Sequence, residues 1–185
     1  ALDMGLHENE LPELVEMWRT SNPAIVRFWR AVQDAAMDAI KGKLRRLPHG
    51  ISFIREAGIL FIGLPSGRRI AYVKPQIGEN RFGGKSITYM GIHNGKWQRL
   101  ETWGGKLVEN IVQAFARDCL AESIMKLDKA GYRVVFHVHD EVILDEPKDR
   151  SSAQEVAALM GQPISWAPGL PLNADAYECE YYRKD

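Results

Sequence analysis

The sequence predicts an α+β fold in which an antiparallel sheet is packed by long helices. Three observations carry this. Residues 51 to 103 hold the short runs "ISFIRE", "GILFIGLP", "RRIAYVKP", "SITYMGI" and "KWQRLETW", rich in β-branched and aromatic residues and separated by "AG", "SG", "FGG" and "NG" turn signals. Apolar residues at helical spacing occupy the stretches on either side. A further hairpin pattern, "GYRVVFHVHDEVILDEP", follows the second helical stretch.

Two helices come first. Leu11, Leu14, Val15 and Trp18 set helical spacing over residues 10 to 20, and "ALDMGLHENELPELVEMW" reads as helix-like from its start. Asn22 then stands as an N-cap with Pro23 at the first helical position. The second helix, about 23 to 42, carries Ile25, Trp29, Val32, Ala36 and Ile40 along one stripe and ends in the basic, turn-rich "KGKLRRLPHG".

After the strand-rich region, "GGK" opens a helix over about 106 to 129. Leu107, Ile111, Ala114, Phe115, Ala121 and Met125 are expected on its apolar face, with Gly131 ending it. Asn110, Gln113 and Arg117 mark the opposite face. Strands over about 132 to 138 and 142 to 146 come next, then a short helix with Ser152 and Glu155 as a capping box and an end near Gly161. The tail "PLNADAYECEYY" alternates as a strand would.

Length allows one domain with a sizeable core, or two small lobes sharing one. Lys plus Arg and Asp plus Glu number 24 each, so partners of strong charge must be met by local patches. Cys119 and Cys179 form no C-x-x-C pair, which fits a reducing cytoplasm and gives no zinc-finger spacing. With no apolar run of about eighteen residues and no secretory signal pattern, the chain is expected to be soluble and intracellular, with no membrane partner. The opening without Met raises the expectation of a fragment.

The second hairpin concentrates the chemistry. His139, Asp140 and Glu141 fall at its reversal, and the flanking "VVF" and "VIL" runs are expected to anchor it in a core. Spacing alone leaves three readings open. Asp140 is a carboxylate positioned for a hard cation such as Mg²⁺, or it is ordinary turn chemistry. Alternatively, His137 and His139 form an H-x-H pair of a metal hydrolase that still needs a third ligand, for which His7, His49 and His93 are too scattered.

"HVHDEV" between apolar strands resembles motif C of family A DNA polymerases, the palm hairpin whose Asp ligates the catalytic metals. "ENIVQAFARDCLAESIMKL" is similar to the family's palm helix, with Gln113 and Asp118 on its Q-x-x-x-x-D pattern. "WRTSNPAIVRFWRAVQDAA" resembles the helix pair after the nucleotide-binding helix of the fingers, and "GLPSGRRIAYVKP" the family's "GRRLYLP" strand. "GKLVENIVQAFARD" and "PLNADAYECEYYRKD" look most like the phage and prophage subgroup.

The resemblance implies residues 1–45 as a helical remainder of the fingers and 46–185 as a palm segment bearing the motif C hairpin. It further implies Asp140 and Glu141 as catalytic and metal-ligating carboxylates, His139 near the primer terminus, and Gln113 and Arg117 as DNA contacts, Gln113 in the minor groove. Asp118 is read as a structural acceptor; Arg68 and Arg69 are candidate phosphate contacts or plain surface. Primer-template DNA, dNTP and two Mg²⁺ follow as partners, in a bacterial host cytoplasm.

The family's D-Y-S-x-I-E strand and R-x-x-x-K-x-x-x-[FY]-G helix are not in the sequence and would lie upstream of Ala1. An incomplete palm and fingers, inactive alone, is therefore expected. Exposed apolar surface beside the hairpin would be covered by the upstream part or by self-association. A remnant that only binds duplex DNA is the alternative from another class.

Overall fold

The computed structural model describes residues 7–80, 83–150 and 152–182. The helix-like reading of residues 1 to 6 and the Phe82 position of the "FGG" turn lie outside them. The chain divides into two compact units. One comprises the residues through Gly63 with Arg69–Ile111; the other comprises Leu64–Arg68 with the residues from Val112 onward.

In the first unit, α1 (Leu11–Ser21) and α2 (Pro23–Ile40) flank Asn22, close to the expected limits. Asn22 does not cap α2 with its side chain. Its Nδ2 instead donates to the Trp18 carbonyl at 2.8 Å, closing the preceding helix. Helix α1 buries none of its residues: Leu14, Val15 and Trp18 are each at least 40% exposed. Helix α2 buries Val32, Ala35, Ala36, Ala39 and Ile40, three alanines that let its backbone lie close to the sheet, while Ile25 stays exposed.

The sheet is a six-stranded antiparallel meander in sequence order, β1 (Arg45–Arg46), β2 (Ser52–Glu56), β3 (Ile59–Gly63), β4 (Arg69–Glu79), β5 (Lys85–His93) and β6 (Lys96–Thr102). The short β1, inside the basic connection, was not expected. Ala57–Gly58 and Asn94–Gly95 each place two residues at positive φ, the backbone that two-residue hairpins require. Phe53, Leu60, Ile62, Tyr72 and Ile87 are buried, with α2 packing against β1 through β4. Pro75 cannot donate to a ladder, and there the β4–β5 register breaks, passing from Val73↔Met90 to Gln76↔Thr88.

Helix α3 (Gly104–Lys129) begins in this unit. A Cβ on Gly104 would stand 2.1 Å from the Trp29 carbonyl oxygen, and one on Gly105 would stand 2.1 Å from the Trp103 ring. The "WGG" triplet thus lets the helix start against α2 while the indole folds over its first turn. Asn110 donates to the Tyr72 hydroxyl at 2.8 Å, and the Tyr72 ring meets Tyr89 edge-on. Burial holds the Tyr72 hydroxyl above its ordinary pKa, partly offset by that hydrogen bond.

The second unit holds the rest of α3, the hairpin β7 (Val134–Val138) and β8 (Glu141–Leu144), and α4 (Ala153–Met160). Leu120, Ser123 and Leu127 are the buried residues on this part of α3. Ala121 and Met125, expected on its apolar face, are exposed. Phe115 meets Trp166 edge-on, and Lys126 Nζ donates to the Gln162 carbonyl at 2.8 Å. Gly131, at φ 82°, ends the helix as expected, with Tyr132 N–H returning to the Leu127 carbonyl. The Ser152/Glu155 capping box forms on α4. The expected tail strand does not: described residues 171–182 run without ladder pairing, because alternation specifies faces but only a partner edge makes a strand.

Replacing Gly104 by Ala forces its Cβ into a backbone oxygen and is expected to lower stability by about 2–3 kcal/mol. Urea denaturation of the variant checks this; an unchanged midpoint would mean that the contact relaxes without cost.

Candidate functional site

The hairpin forms a two-stranded sheet of its own, and its register sets the tip. Val138 pairs with Glu141, so His139 and Asp140 alone make the loop, with His139 at φ 50°. Asp140 is exposed beyond the ladder, and Glu141 is exposed as the first residue of β8. The base is clamped from the other end. Glu146 accepts from the Arg133 N–H and, at 2.9 Å, from Arg150, which also donates to the Gly131 carbonyl and lies over the Tyr132 ring.

The flanking apolar runs do not bury the hairpin as expected. Val135 is 52% exposed and Phe136 40% exposed, and the pairing skips Val135, passing from Val134↔Leu144 to Phe136↔Ile143. An apolar run says that a strand has a face to cover, not what covers it. Phe136 is met edge-on by Tyr182, whose hydroxyl also donates to Glu141 Oε2 at 3.4 Å. Tyr182 is the site neighbour that sequence reasoning missed. Its signal, the aromatic pair in "ECEYY", was absorbed into the strand reading of the tail.

Gln113 and Arg117 lie one turn apart on the exposed side of α3. Arg117 Nη2 stands 3.0 Å from His137 Nε2. A guanidinium has only donors, so this ring nitrogen is the acceptor and its lone pair is engaged. The contact brings the Arg117 face of α3 alongside β7. Among the described residues no hydrogen bond joins Gln113 to the hairpin.

Asp118 is held on a different side. Ser66 Oγ donates to it at 2.5 Å and Arg68 Nε at 2.6 Å, while Arg68 Nη2 reaches the Ala114 carbonyl. With its side chain 11% exposed and both oxygens in use, Asp118 is a structural acceptor. Arg69, in the first unit, pairs with Glu56 at 3.0 Å and lies over the Phe61 ring. Both arginines of the basic turn therefore have protein partners. Cys119, next to Asp118, has its thiol pKa raised, first by burial and then by the Asp118 charge.

Among the described residues no group of three or more His, Cys, Asp or Glu is placed to hold a metal ion. Mg²⁺ commonly takes one or two carboxylates and completes its shell with water and substrate phosphate. Two adjacent exposed carboxylates on a clamped hairpin fit the protein's share of such a shell. Nor is any described helix long and apolar enough to cross a membrane.

Comparison with known proteins finds relatives that are DNA polymerases. The chain is 57% identical over 188 aligned residues, its full length, to the DNA polymerase of Bacillus phage SP02, and spans 29% of that protein. It is 29% identical over 119 residues to the thermostable DNA polymerase I of Thermus thermophilus, covering 60% of this chain and 13% of that one. No family model and no solved structure matches. The resemblance to phage-type family A DNA polymerases thus holds across the whole chain.

Arg68→Ala would leave the nearly buried Asp118 with Ser66 alone and is expected to cost about 1–3 kcal/mol, read by chemical denaturation. The raised Cys119 thiol is expected to react with a disulfide reagent at pH 8 more slowly than the exposed Cys179, which time-resolved mass spectrometry of the labelled protein would show.

Proposed function

We propose that the chain is a C-terminal part of a family A DNA polymerase and that its hairpin serves template-directed nucleotidyl transfer from dNTP to a primer 3'-hydroxyl. The observation that supports this most is the Arg117–His137 contact, which sets an exposed helix face beside a hairpin tipped with two carboxylates. In this reading Asp140 and Glu141 hold Mg²⁺, and Tyr182 orients the Glu141 carboxylate. Bound there, the ion supplies positive charge to phosphoryl oxygens. Gln113 lies along the minor groove, whose acceptors are shared by all base pairs, so it senses geometry rather than sequence. Arg117, with one of five N–H donors on His137, keeps others for a phosphate oxygen. His139 stands at the tip, beside the primer end.

Two metals require carboxylates from a second strand, and dNTP needs a cationic helix. This reading assigns both to a further part of the polymerase, for which the 29% span of the phage relative leaves room. The same part covers the exposed Val135 and Phe136 side of the hairpin. The chain alone is then inactive.

Primer extension with Mg²⁺ tests the reading, using the chain alone and the chain supplemented with the remaining part of the phage SP02 polymerase. Extension is expected only in the supplemented reaction, and Asp140→Asn is expected to reduce it at least about 100-fold, the scale of a lost transition-state electrostatic contact. Extension by the chain alone, equal in wild type and Asp140→Asn, would overturn it.

A further inference from the structure

We propose that the first unit pairs with a second copy of this chain through the free edge of its sheet, β6 joining β6 of the other copy antiparallel across a two-fold axis centred on Leu100. Among the described residues β6 is bonded to β5 alone, so its other side is an open edge seven residues long. The opposite edge, β1, has only two residues and offers little to pair with. Open edges are commonly blunted by shortness, by proline, by a bulge or by charge. Of these β6 has only charge: its pairing with β5 runs unbroken from His93↔Lys96 to Ile87↔Thr102. Its charges, moreover, match each other.

The ladder fixes which backbone groups face outward. Asn94 and Gly95 form a two-residue loop, so His93 and Lys96 exchange hydrogen bonds, and every second pair from there does the same. Lys96, Gln98, Leu100 and Thr102 therefore bond to β5, and the N–H and C=O groups of Trp97, Arg99 and Glu101 point to the open side. A two-fold axis normal to the sheet keeps each residue on its own face, so the residue at the axis meets its own copy. Centred on Arg99 or Glu101, the axis sets like charges opposite each other. Centred on Trp97 or Gln98, it puts Glu101 past the start of the other β6. Centred on Leu100, it pairs Arg99 with Glu101 twice, Leu100 with Leu100, and Gln98 with Thr102. Opposite charges directly across a ladder stabilise it and like charges oppose it, which selects this register.

The side chains are placed for it. Arg99 and Glu101 are exposed, and among the described residues neither enters an ion pair. Arg99 Nη1 donates to Thr88 Oγ1 at 3.1 Å and to the Lys74 carbonyl at 3.3 Å, neutral acceptors that hold the guanidinium and leave its charge uncompensated. Ile92 and Trp97, paired across the ladder on the same face and 70% and 58% exposed, add apolar area at the end of the strip. Cationic and acidic side chains number 24 each, so no net repulsion opposes the meeting of two copies. One short ladder is a smaller interface than permanent dimers use, so the association is weak and reversible. It uses no residue of the β7–β8 hairpin and stands or falls independently of the polymerase reading.

Sedimentation equilibrium of the 185-residue chain up to millimolar concentration tests this. A monomer–dimer equilibrium is expected. Arg99→Glu and Glu101→Arg, exposed changes that set like charges opposite each other, are each expected to weaken it at least about tenfold. Mixing the two variants restores opposite charges at both pairs of the heterodimer and is expected to return association to within about fivefold of wild type. Hydrogen exchange reads the register: the N–H groups of Arg99 and Glu101 are expected to gain more protection with rising concentration than that of Leu100, which already bonds to β5. A monomer at every concentration, a dimer indifferent to both single changes, or a mixture that associates no better than its components would overturn the proposal. So would protection that does not rise at Arg99 and Glu101.

Discussion

The absence of a side chain at Gly104 is the constraint on which the first unit turns. The Trp29 carbonyl occupies the space a Cβ would need, so the start of α3 approaches α2 backbone to backbone. That approach puts Leu107, Val108 and Ile111 into the core with Val32, Ala36 and the inward residues of the sheet. It also places Asn110 within reach of Tyr72 and brings the Trp103 ring against Trp29. Neighbouring Gly105 completes the fit by leaving room for the Trp103 indole over the helix. A hydrogen atom in place of a methyl group at two consecutive positions thus governs a helix–helix contact, a helix–sheet hydrogen bond and an indole–indole contact.

The second unit solves a different problem, how to keep two neighbouring carboxylates where ionised groups are cheap. A two-residue loop lifts Asp140 out of the ladder, and Glu141 begins the return strand at the surface. Charge elsewhere in the unit is neutralised locally: Arg150 with Glu146 at the hairpin base, and Arg68 with Asp118 on α3. Among the described residues no ion pair engages the carboxylates at the tip. The Tyr182 hydroxyl donates to Glu141, and both carboxylate residues are exposed to solvent.

Much of this was legible from local chemistry. "AG" and "NG" gave positive-φ turns, Ser152 with Glu155 gave a capping box, and Gly131 gave a helix end, because each depends on a few adjacent residues. Asp140 at a hairpin tip followed from the same kind of reasoning. What failed depends on distant partners. Helix α3 changes its buried face between Ile111 and Leu120, nine residues or about two and a half turns later. A single apolar stripe drawn along it therefore misplaces Ala121 and Met125. The tail alternates without an edge to join. Asn22 is the exception, a local choice between two neighbouring helices in which its amide turns back to the one before it. The tryptophan cluster was again hidden by distance. Trp18, Trp29 and Trp103 stand in three elements, and nothing in their spacing shows that they touch.

The order of the meander has a consequence for how the chain acquires its structure. Every strand from β1 to β6 pairs only with its immediate neighbour in sequence. Each pairing step therefore closes a short loop, at least two of them with turns whose backbone already matches the strand twist. Sheets dominated by such local pairings have low contact order for β architecture and fold quickly. The meander is thus the part of the chain best able to form while later segments are still being synthesised, offering α2 a finished surface to pack against before α3 emerges.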